Sequence, residues 1–137
     1  MAVYKRIFST QNIEMTIRTG IDIVDIQKFA EHLKSEAFIR KVFTPAEIKV
    51  CEAAAAPIQC YAGKFATKEA FMKAIGKGIR QEVWFTQIEV LNRETGEPYI
   101  RVRGKAEQVL KALSRRNIDV SISCSDTLIV AMVILRE

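Results

Sequence analysis

Glu69 and Lys73 stand one helical turn apart in the segment YAGKFATKEAFMKAIGKGI, residues 61–79. On a helix that spacing puts a carboxylate and an ammonium on one face. The wheel sets Glu69 between Phe65 and the small pair Ala62 and Ala66. The charges therefore project from an apolar side with room for something to approach, and a charge buried there needs a partner or a metal. Two readings stand at this point: a charged site, or an ordinary i,i+4 ion pair worth roughly a few tenths of a kcal/mol. Gly76-Lys77-Gly78 closes the same segment. Two glycines flanking a lysine let a ligand approach the backbone closely, or they simply stop the helix and open a loop. The spacing is not that of a Walker phosphate loop. Asp22 is the second carboxylate of interest. It lies between Ile21 and Ile23 in a strand pattern, where charge is disfavoured. Alternation turns its side chain away from those isoleucines, toward a ligand or toward solvent. Lys64, Lys68, Lys73, Lys77 and Arg80 make the helix and its exit basic, and Lys34, Arg40 and Lys41 form a second basic cluster. Such runs are usually solvated faces. Around two carboxylates they also suit a metal-bound phosphate.

The remaining composition narrows the chemistry. His32 is the one histidine, which excludes zinc held by several histidines and leaves carboxylates, lysines or a carboxylate-bound metal as the reactive groups. It falls off the apolar stripe of its helix and is expected to face solvent. Cys51, Cys60 and Cys124 form no CxxC pair; they read as free buried thiols and not as a zinc site or disulfide framework. The 137 residues suit one domain, with residues 1–14 as an extension of no clear period. The net charge of +5 points to an anionic partner. No stretch approaches the about 18 apolar residues of a membrane span, and residues 1–14 lack the pattern of a secretory signal, so a cytoplasmic protein with no membrane partner is expected.

The elements that must position these residues follow from periodicity and caps. Residues 15–24 read as a strand with Ile17, Ile21 and Ile23 on one face. Asp25 caps a helix carrying Ile26, Phe29, Ala30 and Leu33. Thr44-Pro45-Ala46-Glu47 is a capping box with proline at the first helical position; that helix is expected to run on to Ala56 and stop at Pro57. The next, residues 59–75, is apolar around most of its circumference and so belongs at the centre of the fold. Residues 87–91 and 99–103 alternate as a hairpin around a polar turn containing Gly96. An amphipathic helix over 104–116 follows, then a strictly alternating strand at 118–124. The apolar run 128–135 is expected to be a strand buried on both faces. The order β-α-α-α-β-β-α-β-β predicts an α+β fold with an antiparallel sheet and packed helices.

Four pieces of this sequence, in order, are Gly20-Ile-Asp22-Ile-Val, Phe43-Thr44-x-x-Glu47, Phe65-Ala-x-Lys68-Glu69-Ala70-x-x-Lys73-Ala74-x-Gly76-x-Gly78-Ile79 and Val120-Ser-Ile-Ser123. Together they resemble the holo-acyl-carrier-protein synthases, small 4′-phosphopantetheinyl transferases, over about residues 15–135. The resemblance implies a compact fold that assembles as a homotrimer with active sites between subunits. It implies transfer of 4′-phosphopantetheine from coenzyme A to a serine of an apo acyl carrier protein, with release of 3′,5′-ADP, in fatty acid biosynthesis. By position, Asp22 and Glu69 would ligate Mg²⁺. Lys73 would neutralise the pyrophosphate, and Glu69 or a metal-held water would take the serine proton. Lys64, Lys73, Gly76, Ser123 and Cys124 would contact the coenzyme, and Lys28, Arg40 and Lys41 the carrier. Two positions depart from the family's pattern: Cys124 stands where a histidine is usual, and Lys28 where an arginine is usual. Lysine keeps the charge but loses the bidentate fork. These departures predict slower transfer or a different carrier preference. Two other readings compete: a non-catalytic relative that binds coenzyme A or carrier without transfer, and a basic nucleic-acid-binding domain. The second lacks an RNP-like aromatic pair, a GXXG loop and a zinc pattern, so no nucleic-acid partner is expected.

Overall fold

A computed structural model describes residues 17–76 and 82–137. The chain starts with strand β1 (Arg18–Asp25), then helices α1 (Ile26–His32), α2 (Glu36–Val42), α3 (Pro45–Glu52) and the long α4 (Pro57–Ile75). A 3₁₀ turn (Phe85–Gln87) leads into the hairpin β2 (Ile88–Asn92) and β3 (Pro98–Val102). Helix α5 (Gly104–Ala112) and the strands β4 (Asn117–Cys124) and β5 (Leu128–Arg136) complete the described chain. The first sheet has the order β1-β5-β4 and the second is the β2-β3 hairpin; every pairing is antiparallel. This is the expected α+β class. The expected N-terminal extension, and Lys77, Gly78, Ile79 and Arg80, lie outside the described residues.

The caps are those the sequence encodes. The Asp25 carboxylate accepts from Lys28 N at 3.1 Å. Thr44 Oγ1 accepts from Glu47 N at 3.3 Å while Glu47 Oε1 accepts from Thr44 N at 2.9 Å, a closed capping box. Gly76 ends α4 with φ of +99°, a conformation that favours glycine. Helix α3 stops at Glu52, short of the expected Ala56. Pro57 opens α4, and the residue before a proline is pushed out of helical geometry; Ala56 has φ −126° and ψ 82°. That turn sets the last turn of α3 against the first turn of α4. Cys51 and Cys60 meet there with Cα atoms 5.3 Å apart, paired as a disulfide, and Cys124 is exposed. None of the three is therefore the free buried thiol expected. Helix α2 is an element the periodicity missed. His32 is exposed, as expected, and stacks on Phe38 of α2 with ring centroids 5.0 Å apart.

Helix α4 lies across the inner face of the three-stranded sheet, where Ala62, Ala66, Ala70 and Ala74 are all buried against β1 and β5. Its other side meets α1, α3 and the hairpin. The strand β5 corrects an expectation: its burial alternates. Ile129, Ala131, Val133 and Leu135 are buried, whereas Leu128 and Met132 are exposed. Among the described residues, helices cover only one face of the sheet, so an apolar run at the sheet centre has exposed residues on its other side.

The basic residues of α4 are also arranged differently from a solvated face. Lys68 is fully buried. Its ammonium donates to Glu47 Oε1 at 2.6 Å, Val42 O at 2.7 Å and Phe85 O at 3.0 Å, which uses all three of its protons. Burial lowers its pKa, opposed by the neighbouring Glu47 carboxylate. Glu47 accepts in addition from Val90 N at 2.9 Å. Glu89 beside it binds Thr44 Oγ1, Arg101 and Arg103. Lys68→Met keeps most of the volume but leaves Glu47 buried without its cation, and is expected to cost about 3–5 kcal/mol in urea unfolding. A loss under about 1 kcal/mol would place the pair among dispensable contacts.

Candidate active site

One seam, between β1 and α4, brings Asp22 and Lys73 into contact, with Glu69 one helical turn away on α4. Its closeness depends on Gly20. A Cβ built there would lie 1.8 Å from Ala70 O and 2.8 Å from Ala74 N, so only a residue without a side chain lets the strand touch the helix backbone. With the strand that near, the inward face of β1 carries Arg18, Gly20, Asp22 and Val24 in turn along α4. Asp22 faces the helix and is 15% exposed; its Oδ1 accepts from Lys73 Nζ at 2.9 Å. The same ammonium donates to Ile21 O at 2.9 Å. Lys73 stays 45% exposed, so one side of the pair is open to a ligand. Glu69 is half-buried one turn before Lys73 on the same side of α4. Strand alternation left Asp22 facing either a ligand or solvent. The structure settles this the other way round from solvent: Ile21 and Ile23 are the exposed residues, at 59% and 61%, and Asp22 points in.

Asp22 and Glu69 are hard oxygen donors on two different elements. Among the described residues no group of three or more His, Cys, Asp or Glu side chains is placed to hold a metal. Two carboxylates nevertheless fit magnesium, which keeps several waters and takes further oxygens from substrate phosphates.

Lys64 does not join this seam. It lies nine positions before Lys73, which at 3.6 residues per turn is the opposite side of α4. It is buried, and its ammonium donates to Val90 O at 2.6 Å. Burial lowers its pKa, while Glu47 and Glu89 pull it back up. Lys64 borders a cavity of about 290 Å³ whose wall also includes Gln59, Cys60, Asn92, Pro98 and Cys124. So the structure brings Lys64 and Cys124 together, and keeps both apart from Asp22 and Lys73 within one chain. Ser123 alternates to the outer face of the sheet, opposite Val130. Gly76 sits at the end of α4, under the Arg18 guanidinium. Lys28 is exposed on α1, and Arg40 and Lys41 are exposed in the last turn of α2. The contacts between Phe29 and Phe38 join those two helices. Sequence reasoning missed Arg18, although its i, i+2, i+4 relation to Gly20 and Asp22 carries the signal.

Comparison with known proteins gives one answer throughout. Residues 18–126 match the family described as the 4′-phosphopantetheinyl transferase superfamily. Among relatives, the chain is 38% identical to the holo-[acyl-carrier-protein] synthase of Koribacter versatilis, over 90% of this chain and all of that one. It is 40% identical to the one from Geobacter sulfurreducens, over 90% of this chain and 99% of that one. Among solved structures it resembles the holo-[acyl-carrier-protein] synthase of Neisseria meningitidis, at a TM-score of 0.80 and 29% identity over 88% of this chain and 98% of that one. It also resembles the Bacillus anthracis protein in complex with CoA (3′,5′-ADP), at a TM-score of 0.74 and 31% identity over 90% of this chain and 98% of that one.

Gly20→Ala tests the seam. The added methyl group meets a backbone carbonyl and not a movable side chain. The expected loss is about 1–3 kcal/mol or more of stability, read as a lowered unfolding midpoint, together with loss of the Asp22–Lys73 contact in a crystal structure of the variant.

Proposed function

The chain belongs to the 4′-phosphopantetheinyl transferase superfamily, and from that premise we propose that it moves 4′-phosphopantetheine from coenzyme A to a serine of an apo acyl carrier protein. The observation that carries the reading is the β1–α4 seam, where Asp22 holds the partly open Lys73 ammonium and Glu69 lies one helical turn before it. The serine oxygen attacks the phosphorus bearing the pantetheine arm. The bond from that phosphorus to the bridging pyrophosphate oxygen breaks, and 3′,5′-ADP leaves. Little covalent chemistry is asked of the protein; positioning and charge neutralisation do the work. Glu69, directly or through a water, takes the serine proton. Lys73, released in part from Asp22, turns to the pyrophosphate and stabilises charge gathering on the leaving phosphate. Magnesium bound by Asp22 and Glu69 would neutralise further phosphate charge. Gly76 lets the coenzyme approach the end of α4. Lys28, Arg40 and Lys41 meet the carrier, an acidic partner that the net charge of +5 suits. The setting is cytoplasmic fatty acid biosynthesis. No helix among the described residues is long and apolar enough to cross a membrane.

The oligomer belongs to the same proposal. Ile21 and Ile23 of β1 and Met132 of β5 lie on the outer face of the sheet and are exposed. An open apolar sheet face marks an association surface. Ser123 lies on that outer face, and Cys124 ends the same strand. A homotrimer closed through this face would set one copy's Ser123, near the end of β4, against its neighbour. Ile23→Arg is expected to give monomers by sedimentation and to abolish transfer; an unchanged assembly would remove this face from the interface.

The direct test incubates the protein with coenzyme A, Mg²⁺ and an apo acyl carrier protein, and weighs the carrier by intact-mass spectrometry. A phosphopantetheine gain is expected with the native chain and is expected to be lost in Glu69→Ala. Coenzyme A binding without any gain on several carriers would favour a non-catalytic relative and direct attention to Cys124.

A further inference from the structure

Lys73 sits in the last turn of α4, and that position has an electrostatic cost. The carbonyls that end a helix have no intrahelical partners and carry the negative pole of its dipole. A pyrophosphate drawn to Lys73 therefore approaches the wrong end of a helix. The structure contains a device that offsets this. Arg18, half-buried on β1, donates from Nε to Ala74 O at 2.8 Å and from Nη2 to Ile75 O at 3.3 Å. Met72 O, one turn back, accepts from Gly76 N at 3.3 Å. The guanidinium thus covers two terminal carbonyls directly after Lys73 and places a full positive charge on the negative pole. It also packs against Gly76, where an added Cβ would come within 3.2 Å of Nη2. The alternation that points Asp22 at Lys73 points Arg18 at the helix end, so one strand face orients the ammonium and neutralises the pole beside it.

Resting on the coenzyme reading above, we infer that Arg18 is a positioning residue for the anionic coenzyme: it makes the C-terminal end of α4 hospitable to phosphate by capping Ala74 and Ile75 and cancelling the helix pole. It does not act on the reacting atoms. Its contribution is specific to the coenzyme and leaves the carrier surface on α1 and α2 untouched.

The test is calorimetric titration of coenzyme A into the native chain, Arg18→Gln and Arg18→Lys, with the KM for apo carrier measured alongside. Glutamine retains a hydrogen bond to the carbonyls and removes the charge; lysine retains both a donor and the charge. The expected result is a Kd for coenzyme A weakened about fivefold in Arg18→Gln, the size of a charge–dipole interaction at a half-buried helix end. Arg18→Lys is expected within about twofold of native, and the carrier KM unchanged in both. A merely structural role would weaken coenzyme and carrier together and would not be rescued by charge. Native affinity in Arg18→Gln, equal weakening in both variants, or a parallel loss for the carrier would overturn the inference. If Arg18→Gln does not fold, Arg18→Lys with native affinity beside Arg18→Met with weakened affinity carries the same comparison, and two equal affinities overturn it. A native chain that binds no coenzyme A would sink the functional reading itself, and this inference with it.

Discussion

The ammonium of Lys68 is the fixed point of the molecule. It is buried with three acceptors, each from a different part of the chain: Val42 at the end of α2, Glu47 at the start of α3, and Phe85 in the 3₁₀ turn. Taking a lysine and a glutamate out of water is unfavourable, and a hydrophobic pair of the same volume could be as stable. What the ion pair adds is direction. An ammonium in a closed hydrogen-bonded cage permits one rotation and one register of α4. Glu69 is the next residue, about 100° further round the helix. Once Lys68 is fixed on the hairpin side, Glu69 is turned toward β1, and Lys73 follows one turn later. The orientation of the site is thus inherited from a buried contact that touches no substrate.

Fold and site were legible in the sequence to different depths. The caps at Asp25 and Thr44 and the glycine stop at Gly76 were readable because each is a local hydrogen-bonding solution with few alternatives. Helix α2 was missed although Ser35 caps it, Glu36 opens it and Arg40 and Lys41 close it. Seven residues are too short for an apolar period to stand out, so the caps were the only signal. The lysines show a different limit. Lys64 and Lys68 have the same composition signature as Lys34 or Lys41, and solvent is the default for all of them. That two of them are buried depends on Glu47, Glu89 and the carbonyl of Val90, partners 17 to 26 positions distant in the chain. The disulfide between Cys51 and Cys60 is similar: it needs the turn before Pro57, and a spacing count does not contain that turn.

The open sheet face and the inward carboxylate have a common origin. In a strand, successive side chains must go to opposite faces. Asp22 faces inward and packs against α4 only because Ile21 and Ile23 face outward. In β4, Ser123 faces outward only because Ile122 faces the core. In β1 the residues that alternation turns outward are Ile21 and Ile23, so the outer face carries an isoleucine stripe beside the inward carboxylate. The polar positions Asp119, Ser121 and Ser123 lie on that same outer face along β4, so the stripe is bounded on one side by groups that can meet a ligand. A second copy covering the stripe buries apolar surface and, in the same step, brings that polar border against its neighbour. The inward carboxylate and the outward apolar stripe thus come from one alternation along β1. The cavity beside Lys64 and Cys124 lies on the far side of α4 from Lys73, bounded by Ile122 and Ile129 of the inner sheet face.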